Sequence, residues 1–253
     1  MTNKIQLFGV SIDAEQMSDA PARVFDWIDN RDGECHYVVT PNVDHTVMLQ
    51  EQPQLRDVYE HAGMVLADGF PVVLAARLLR KALPGRVAGS DLVPALCEQA
   101  NRNKKPLRIF LLGAMPGVAQ RAKENIQLRW PAVEVTGYYS QQLGFEKDDE
   151  ENKKILAMIA DAQADVLVVG LGAPKQEFWV HSHRDEIESP VALCVGATID
   201  FLAGEKKRAP IWMQKTGLEW LHRMCSEPKR LAKRYARDAW IFPQLVWREW
   251  RTL

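Results

Sequence analysis

The sequence has no apolar run close to the roughly 20 residues that a helix needs to cross a bilayer. Its start, MTNKIQLFGVSIDAEQ, also lacks the apolar stretch behind a basic segment that marks a secretory signal. The four cysteines are widely spaced and form no C-x-x-C pair (Cys35, Cys97, Cys194 and Cys225). This spacing favours reduced packing residues over a disulfide framework or a zinc site. We therefore expect a cytoplasmic protein without a transmembrane helix.

Two common nucleotide motifs are missing as well. A Walker sequence is absent, so nothing indicates hydrolysis of a nucleoside triphosphate. The segment VVGLGAPKQEFW carries Gly170 and Gly172 between a strand and a helix, but Lys175 replaces the third glycine of G-x-G-x-x-G. Such a turn aims backbone N–H groups at a phosphate, and Lys175 and Gln176 beside it favour this function over a purely structural turn. A second turn, with Gly113 and Gly117, fits structural and ligand-binding roles equally well.

The chain has 253 residues, of which 47% are hydrophobic and 26% charged, which is typical of a folded globular protein. Short apolar runs alternate with longer helical patterns, and this alternation predicts an α/β, Rossmann-like parallel sheet with helices on both faces. From about Ala209 only helical patterns remain. We therefore predict a Rossmann-like domain over residues 1–204 and a helical appendage over residues 205–253. The six predicted strands are CHYVVTPN, MVLADG, LRIFLLGA, AVEVTGYY, DVLVVGLGAP and VALCVGATID.

Polar or small residues follow each predicted strand, where parallel sheets bind their ligands. They are Thr40 with Asn42, Asp68, Gly113, Tyr138, Gly172 with Gln176, and Asp200. Because the carboxyl ends of parallel strands meet at one edge, these groups are predicted to face a common site. His45 and Asp44 follow Asn42 without further ligands at metal spacing, which favours a surface or capping role. Asp148 and Asp149 lack the apolar strand that would hold a metal-binding pair rigid, so no metal site is predicted.

Asp68 has two interpretations. At the end of a buried strand its pKa would be raised, which suits a general base near neutral pH. It is also placed to cap the helix that starts near Pro71, and the position alone favours the cap. Arg86, in PGRVAGSD, fits either a solvated loop arginine or a clamp for an anion.

The net charge of -1 hides a basic C-terminal segment. Residues 205–253 contain twelve Lys or Arg and five acids, and they hold five of the eight tryptophans (Trp212, Trp220, Trp240, Trp247 and Trp250). This composition fits nucleic-acid binding, a protein partner or a membrane surface, and the tryptophans favour the membrane. A helix packed on the core remains an alternative for the segment before Pro228. Pro228 can open a helix, and Pro243 is predicted to kink or divide it.

The following blocks, taken together, strongly resemble the WecG/TagA/CpsF family of bacterial glycosyltransferases. They are TPN from Thr40, ADG from Ala67, RVAGSDL from Arg86, GLGAPKQE from Gly170, GATIDFLAGEKKRAP from Gly196, GLEWLHR from Gly217 and EPKRLAKRY from Glu227. The resemblance runs from near Phe8 to about Tyr235. The last stretch, ARDAWIFPQLVWREWRTL, is not matched.

The resemblance implies metal-independent, inverting transfer of a sugar from a UDP donor to a polyprenyl-diphosphate-linked saccharide, with no cofactor. Such enzymes act at the inner face of the cytoplasmic membrane in teichoic acid or exopolysaccharide assembly. It implies that Asp68 is the base, that Thr40 and Asn42 position sugar or acceptor, and that Arg86 and Gln176 hold the donor diphosphate. Arg223, Arg230 and Arg234 match appendage arginines that reach the site. A homo-oligomer that displaces the appendage is also implied.

Two other functions remain open from the residues. A nucleotide-dependent oxidoreductase would explain the glycine turns and would bind NAD in preference to UDP, but the missing glycine and the lack of a clear ribose-binding acid disfavour it. A membrane or nucleic-acid adaptor would use the basic segment alone, and nucleic-acid binding would be salt-sensitive. The donor sugar, whether of the N-acetylmannosamine type, its uronic acid or glucose, is not identified by any single residue.

Overall fold

The computed structural model describes residues 3–81 and 83–252. Six parallel strands form the central sheet in the order β4-β3-β8-β7-β5-β6, and each coincides with one of the six predicted strands. A two-stranded antiparallel hairpin, β1-β2, precedes the sheet and was not predicted. The strands are β1 (Lys4–Leu7), β2 (Val10–Asp13), β3 (His36–Val39), β4 (Met64–Val65), β5 (Leu107–Gly113), β6 (Val133–Tyr139), β7 (Val166–Gly170) and β8 (Val191–Cys194).

Helices cover both faces of the sheet, as the α/β prediction required. They are α1 (Ala20–Asp29), α2 (Val43–Glu51), α3 (Pro53–Glu60), α4 (Phe70–Leu78), α5 (Gly89–Arg102), α6 (Val118–Arg129), α7 (Asp149–Ala162), α8 (Lys175–Ser182), α9 (Thr198–Leu202), α10 (Ile211–Lys215), α11 (Glu219–Ser226) and α12 (Pro228–Trp250). Helices α1, α5, α6 and α9 bury their apolar residues against one face. The other face is covered by α2, α3, α4, α7, α8 and α12.

Side chains of each central strand alternate between the two cores because successive residues of a strand point to opposite faces. In β7, Val166 and Val168 belong to one core, and Leu167 and Val169 belong to the other. Both faces are therefore apolar, which explains why these strands appear in the sequence as continuous apolar runs rather than as alternating patterns.

The basic C-terminal segment folds into helices α10, α11 and α12. Pro243 does not divide α12, which is continuous from Pro228 to Trp250. Leu231, Phe242 and Leu245 of α12 are buried, and the ring of Phe242 meets that of Phe8 edge-on at 5.3 Å. By contrast, α11 buries none of its residues. The core-packed part of the segment therefore follows Pro228, whereas the sequence had kept core packing as an alternative for the part before Pro228.

None of the helices in the described part of the chain is both long and apolar enough to span a bilayer. Three of the cysteines are buried and Cys225 is exposed, and all four are free thiols.

Asp148 caps α7 by accepting the backbone N–H groups of Glu150 and Glu151. The acid-rich run that follows it therefore belongs to a helix start, as the sequence indicated. The predicted boundary between residues 204 and 205 stays a prediction.

The packing of one face of α12 against the core can be tested by substitution. Phe242→Ala is expected to lower the free energy of unfolding by about 3 kcal/mol, because it deletes a buried ring and leaves a cavity. Trp240→Ala, on the same helix, is the matched control: Trp240 is 75% exposed, so a change within about 0.5 kcal/mol is expected. Urea unfolding of both variants measures the difference. Equal effects would mean that α12 does not pack in this way.

Candidate active site

A cavity of about 600 Å³ opens at the carboxyl ends of four neighbouring strands, β4, β3, β8 and β7. Its floor is made by residues that directly follow these strands, and its other wall is made by α11 and α12. Its volume lies within the range of small-molecule sites and is sufficient for a nucleotide sugar. Eleven of the residues predicted for the site line it: Thr40, Asn42, Asp68, Arg86, Gly170, Gly172, Gln176, Asp200, Arg223, Arg230 and Arg234.

Asp68 stands at the centre of this arrangement. Its backbone N–H donates to the carbonyl of Pro41 at 2.8 Å, which ties the ADG block to the TPN block of the neighbouring strand. Gly69 then adopts φ +103, a conformation that side chains other than glycine rarely tolerate, and turns the chain into α4. The N-cap of α4 is Gly69, with no side-chain cap. The capping role for Asp68 that its position alone favoured is therefore wrong.

Burial raises the pKa of Asp68 to about 6, and the charge of Glu219 acts in the same direction. Arg86, Arg223 and His45 oppose the shift. The carboxyl group is therefore ionised at pH 7 but binds a proton far more readily than an ordinary aspartate. That combination suits a general base.

Most charged side chains that line the cavity are already paired. Arg86 contacts Glu219 at 2.8 Å, Lys206 contacts Asp200 at 3.2 Å, and Arg230 contacts Glu227 at 2.6 Å. Arg234 and Arg237 pair with Asp44, and Arg237 also pairs with Asp238. Among the side chains that the structure describes, Asp68 and Arg223 are the two charged groups of the cavity without an ion pair. One anion and one cation are thus left for a ligand.

Arg86 belongs to a network of four charged groups, so it is not a solvated loop arginine. It reaches Glu219 and, at 3.3 Å, Asp91. Arg208 bonds the same two acids. The network fastens the start of α11 to the loop before α5. The Arg86 guanidinium group therefore contacts Asp91 and Glu219, and the Arg86 side chain also lines the cavity.

Asn42 is oriented by a buried chain of polar groups. Its Oδ1 accepts the backbone N–H of His45 and lies 2.9 Å from His45 Nδ1, which fixes the start of α2. His45 Nε2 lies 3.4 Å from Glu177 Oε1, and Glu177 is fully buried. With Oδ1 engaged, the amide NH₂ group of Asn42 is the part left for a ligand.

This environment favours the charged form of His45. Burial alone would lower its pKa, but the hydrogen bond and charge of Glu177, together with Asp44 and Asp68, raise it above the usual value. The sequence had indicated a capping or surface role for Asp44 and His45. Capping holds for His45, whereas Asp44 is buried beneath α12 and anchors Arg234 and Arg237.

The family model for the glycosyl transferase WecG/TagA/CpsF family matches residues 5–253. The chain belongs to this family. The match includes the stretch after Tyr235 that the motif blocks left out, so α12 lies within the matched region. The protein is accordingly a glycosyltransferase.

Curated relatives agree with the family assignment. A protein of Bacillus spizizenii is 33% identical over 194 residues, which cover 77% of this chain and 72% of the relative. A protein of Staphylococcus aureus strain MW2 is 28% identical over 232 residues, which cover 92% of this chain and 88% of the relative. Both are named N-acetylglucosaminyldiphosphoundecaprenol N-acetyl-beta-D-mannosaminyltransferase.

Three residues that the sequence predicted for the site do not line the cavity. Gly113 and Tyr138 lie at the carboxyl ends of β5 and β6, the two strands at the far edge of the sheet, beyond β7. A Cβ at Gly113 would lie 2.6 Å from the carbonyl oxygen of Gly170, so glycine is needed there for the close approach of two strand ends. Lys175 points away to Glu146, with which it forms a 2.8 Å ion pair.

Sequence reasoning missed Glu177 and the ion-pair partners Asp91, Arg208 and Glu219. Arg86 and Glu219 are 133 residues apart and Arg208 and Asp91 are 117 apart, so no local spacing reveals these pairings. Gln176, which was predicted, bridges two strand ends: its Nε2 donates to Glu177 and its Oε1 accepts the N–H of Gly196 at 3.1 Å.

A possible metal cluster lies elsewhere in the described residues. Ligand atoms of Asp57, His61 and His181 come within 4.8 Å of one another, on α3, just after it and on α8. None of these three residues lines the cavity.

Proposed function

We propose that the protein transfers a sugar of the N-acetylmannosamine type from a UDP donor to a saccharide carried on a polyprenyl diphosphate, with inversion and without a metal. The observation that carries this proposal is the pair of unpartnered charges in the cavity, the base-like Asp68 and the cationic Arg223. The names of the relatives support the donor and the acceptor. The protein would act in the synthesis of cell-surface polysaccharide.

Bond formation and bond breaking can be assigned to these groups. The acceptor hydroxyl gives its proton to the Asp68 carboxylate while its oxygen bonds to the anomeric carbon of the donor. The bond from that carbon to UDP breaks, and UDP keeps the electron pair. Attack from the face opposite UDP inverts the configuration, so an α-linked donor gives a β-linked product. The word "beta" in the relatives' names is consistent with this outcome.

Cationic side chains of the appendage would stabilise the leaving diphosphate in place of a metal ion. Arg223 is free to bind it directly, and Arg86, Arg230 and Arg234 surround the same space. Thr40 and the NH₂ group of Asn42 would position sugar or acceptor hydroxyls. The backbone at Gly170 and Gly172 would approach the nucleotide.

Nucleotide binding tests this assignment and separates it from the oxidoreductase alternative. Titration calorimetry of the full chain with UDP, in EDTA and then in Mg²⁺, is expected to show equal binding in both. Arg223→Ala should weaken UDP binding about 10-fold or more, since a hydrogen bond to a charged group is lost. Arg121→Ala, which removes a surface pair with Glu205 outside the cavity, should have no effect. Tighter binding of NAD than UDP would overturn the proposal.

Membrane association is proposed for the outer face of α12. Trp240, Trp247 and Trp250 are more than half exposed. Helix periodicity places Trp240 and Trp247 on the side opposite Phe242 and Leu245, and amphipathic tryptophans prefer the membrane interface. Trp240→Gln/Trp247→Gln should reduce sedimentation with anionic vesicles without changing UDP affinity. Unchanged sedimentation would remove α12 as the contact. A homo-oligomer that displaces α12 stays a prediction.

A further inference from the structure

Helix α4 is apolar on both its inner and its outer face. Val72, Val73 and Ala76 are buried, yet Phe70, Leu74 and Leu78 are exposed at 43%, 43% and 62%. These three residues are four positions apart, so they form one outward stripe. A helix between core and water normally carries polar residues on its outer face, and α4 has only Arg77. Exposed stripes of this kind mark a binding surface.

The stripe begins inside the candidate active site. Phe70 and Pro71 line the cavity directly after Asp68 and Gly69. From Phe70 to Leu78 the helix rises about 12 Å, so the stripe leads outward from the base. Ile211 and Trp212 of α10 are also exposed, and Ile211 shares a second depression with Phe70 and Arg86. The apolar surface is therefore continuous with the charged cavity.

This juxtaposition fits a ligand with a charged head and a long apolar chain. The head would enter the cavity beside Asp68, where Phe70 and Pro71 line it, and the chain would leave along α4. The stripe is one side chain wide, so it supplies far less than the roughly 800 Å² that each partner buries in a stable dimer. A single hydrocarbon chain matches it better than a second protein does.

We propose that the outward face of α4 (Phe70, Leu74 and Leu78), with Ile211 and Trp212, binds the isoprenoid chain of the acceptor lipid. This inference rests on the proposed function and adds a subsite to it. An apolar subsite beside the charged cavity explains how the protein would select a prenyl diphosphate over other diphosphates. It also places the acceptor's diphosphate on the same side of the cavity as Asp68.

Binding of soluble prenyl diphosphates tests the subsite without any turnover. Isopentenyl, geranyl and farnesyl diphosphate are titrated calorimetrically into the full chain, below their micellar concentrations and without a bilayer. In the wild type we expect affinity to rise about tenfold for each added isoprene unit, because each unit buries further apolar carbon. Leu74→Gln/Leu78→Gln should abolish this rise while leaving isopentenyl diphosphate binding unchanged.

The matched control is Leu128→Gln on α6. Leu128 is 85% exposed and lies outside the cavity, so this variant should keep the wild-type dependence on chain length. Both changes remove exposed leucines, so neither should impair folding, and the unchanged affinity for isopentenyl diphosphate confirms that the head-group site is intact.

Other results would overturn the proposal. No binding by the wild type, or the same chain-length dependence in the double variant, would place the isoprenoid elsewhere. If the dependence persists and the double variant instead loses vesicle sedimentation or self-association, α4 contacts a bilayer or a second copy. Chain-length-dependent binding without any sugar transfer would contradict the proposed function alone. Sugar transfer with an unaltered dependence in the double variant would contradict the subsite alone.

Discussion

Asp68→Asn is expected to lower turnover by about 10³ while the protein becomes more stable. The loss follows from removal of the group that accepts the proton, since a general base contributes roughly 10² to 10⁴ in rate. The gain follows because ionising a carboxyl group in this cavity is unfavourable, as its raised pKa of about 6 shows. The asparagine variant carries a neutral amide of the same size, so it avoids this cost of ionisation. After allowance for partial exposure, we expect about 1 to 2 kcal/mol at pH 7.5.

The stability gain has a definite dependence on pH. Between about pH 4 and pH 6, native Asp68 holds a proton that the unfolded chain has released, so wild-type stability falls as pH rises through this window. Asp68→Asn removes that fall. The gain should therefore be absent near pH 4 and complete above pH 6. Wild-type turnover should instead fall as the pH drops below about 6, because Asp68 then becomes protonated and can no longer accept a proton.

Asp200→Asn is the control for stability in the same cavity. Asp200 is paired with Lys206, so its replacement removes an ion pair and should not stabilise the protein. Thermal unfolding across pH 4 to 8, together with single-turnover rates, measures both effects. An Asp68→Asn variant that keeps wild-type turnover, or that is destabilised, would show that Asp68 is a structural residue.

Glu177→Ala is expected to lower the free energy of unfolding by about 3 kcal/mol and turnover by at least tenfold. The substitution leaves buried His45 without its charged partner, which is strongly unfavourable. It also frees the imidazole that holds Asn42 Oδ1, so the NH₂ group of Asn42 loses its fixed direction. UDP affinity should change much less, because neither Asn42 nor His45 binds the diphosphate in the proposed mechanism.

A double-mutant cycle with His45→Ala measures the pair itself. The two single effects should add to more than the double variant shows, since either change already breaks the contact. Because the pKa of His45 is raised in the fold, its contribution is complete below pH 6.5 and is lost as pH rises through the raised value. Additive effects, with no such dependence on pH, would show that His45 and Glu177 do not interact.

The sequence was sufficient for the strands because their apolar runs are a local signal. It could not supply the strand order, since β7 and β8 insert between β3 and β5 although they come last along the chain. That order explains why Thr40, Asp68 and Gly172 meet in one cavity while Gly113 and Tyr138 do not. The β1-β2 hairpin was missed because its strands, KIQL and VSID, interleave polar with apolar residues and lack the continuous apolar run of the buried strands.

Charge pairing was the least predictable part of the site. Arg86 and Glu219 are 133 residues apart, and His45 and Glu177 are separated by a similar distance along the chain. Neither pair leaves a pattern that a sequence can show. The same holds for α12, whose composition indicated a membrane surface but not the buried face formed by Leu231, Phe242 and Leu245.

The most direct test of the account is transfer by the purified full chain in EDTA. UDP-N-acetylmannosamine and a prenyl-diphosphate-linked N-acetylglucosamine are supplied, UDP release is measured, and the linkage of the product is determined by NMR. We predict one UDP released for each disaccharide formed, a β linkage from the α-linked donor, and no requirement for a divalent metal. A product with retained configuration, or transfer that needs an added metal ion, would contradict a mechanism in which Asp68 and arginines suffice.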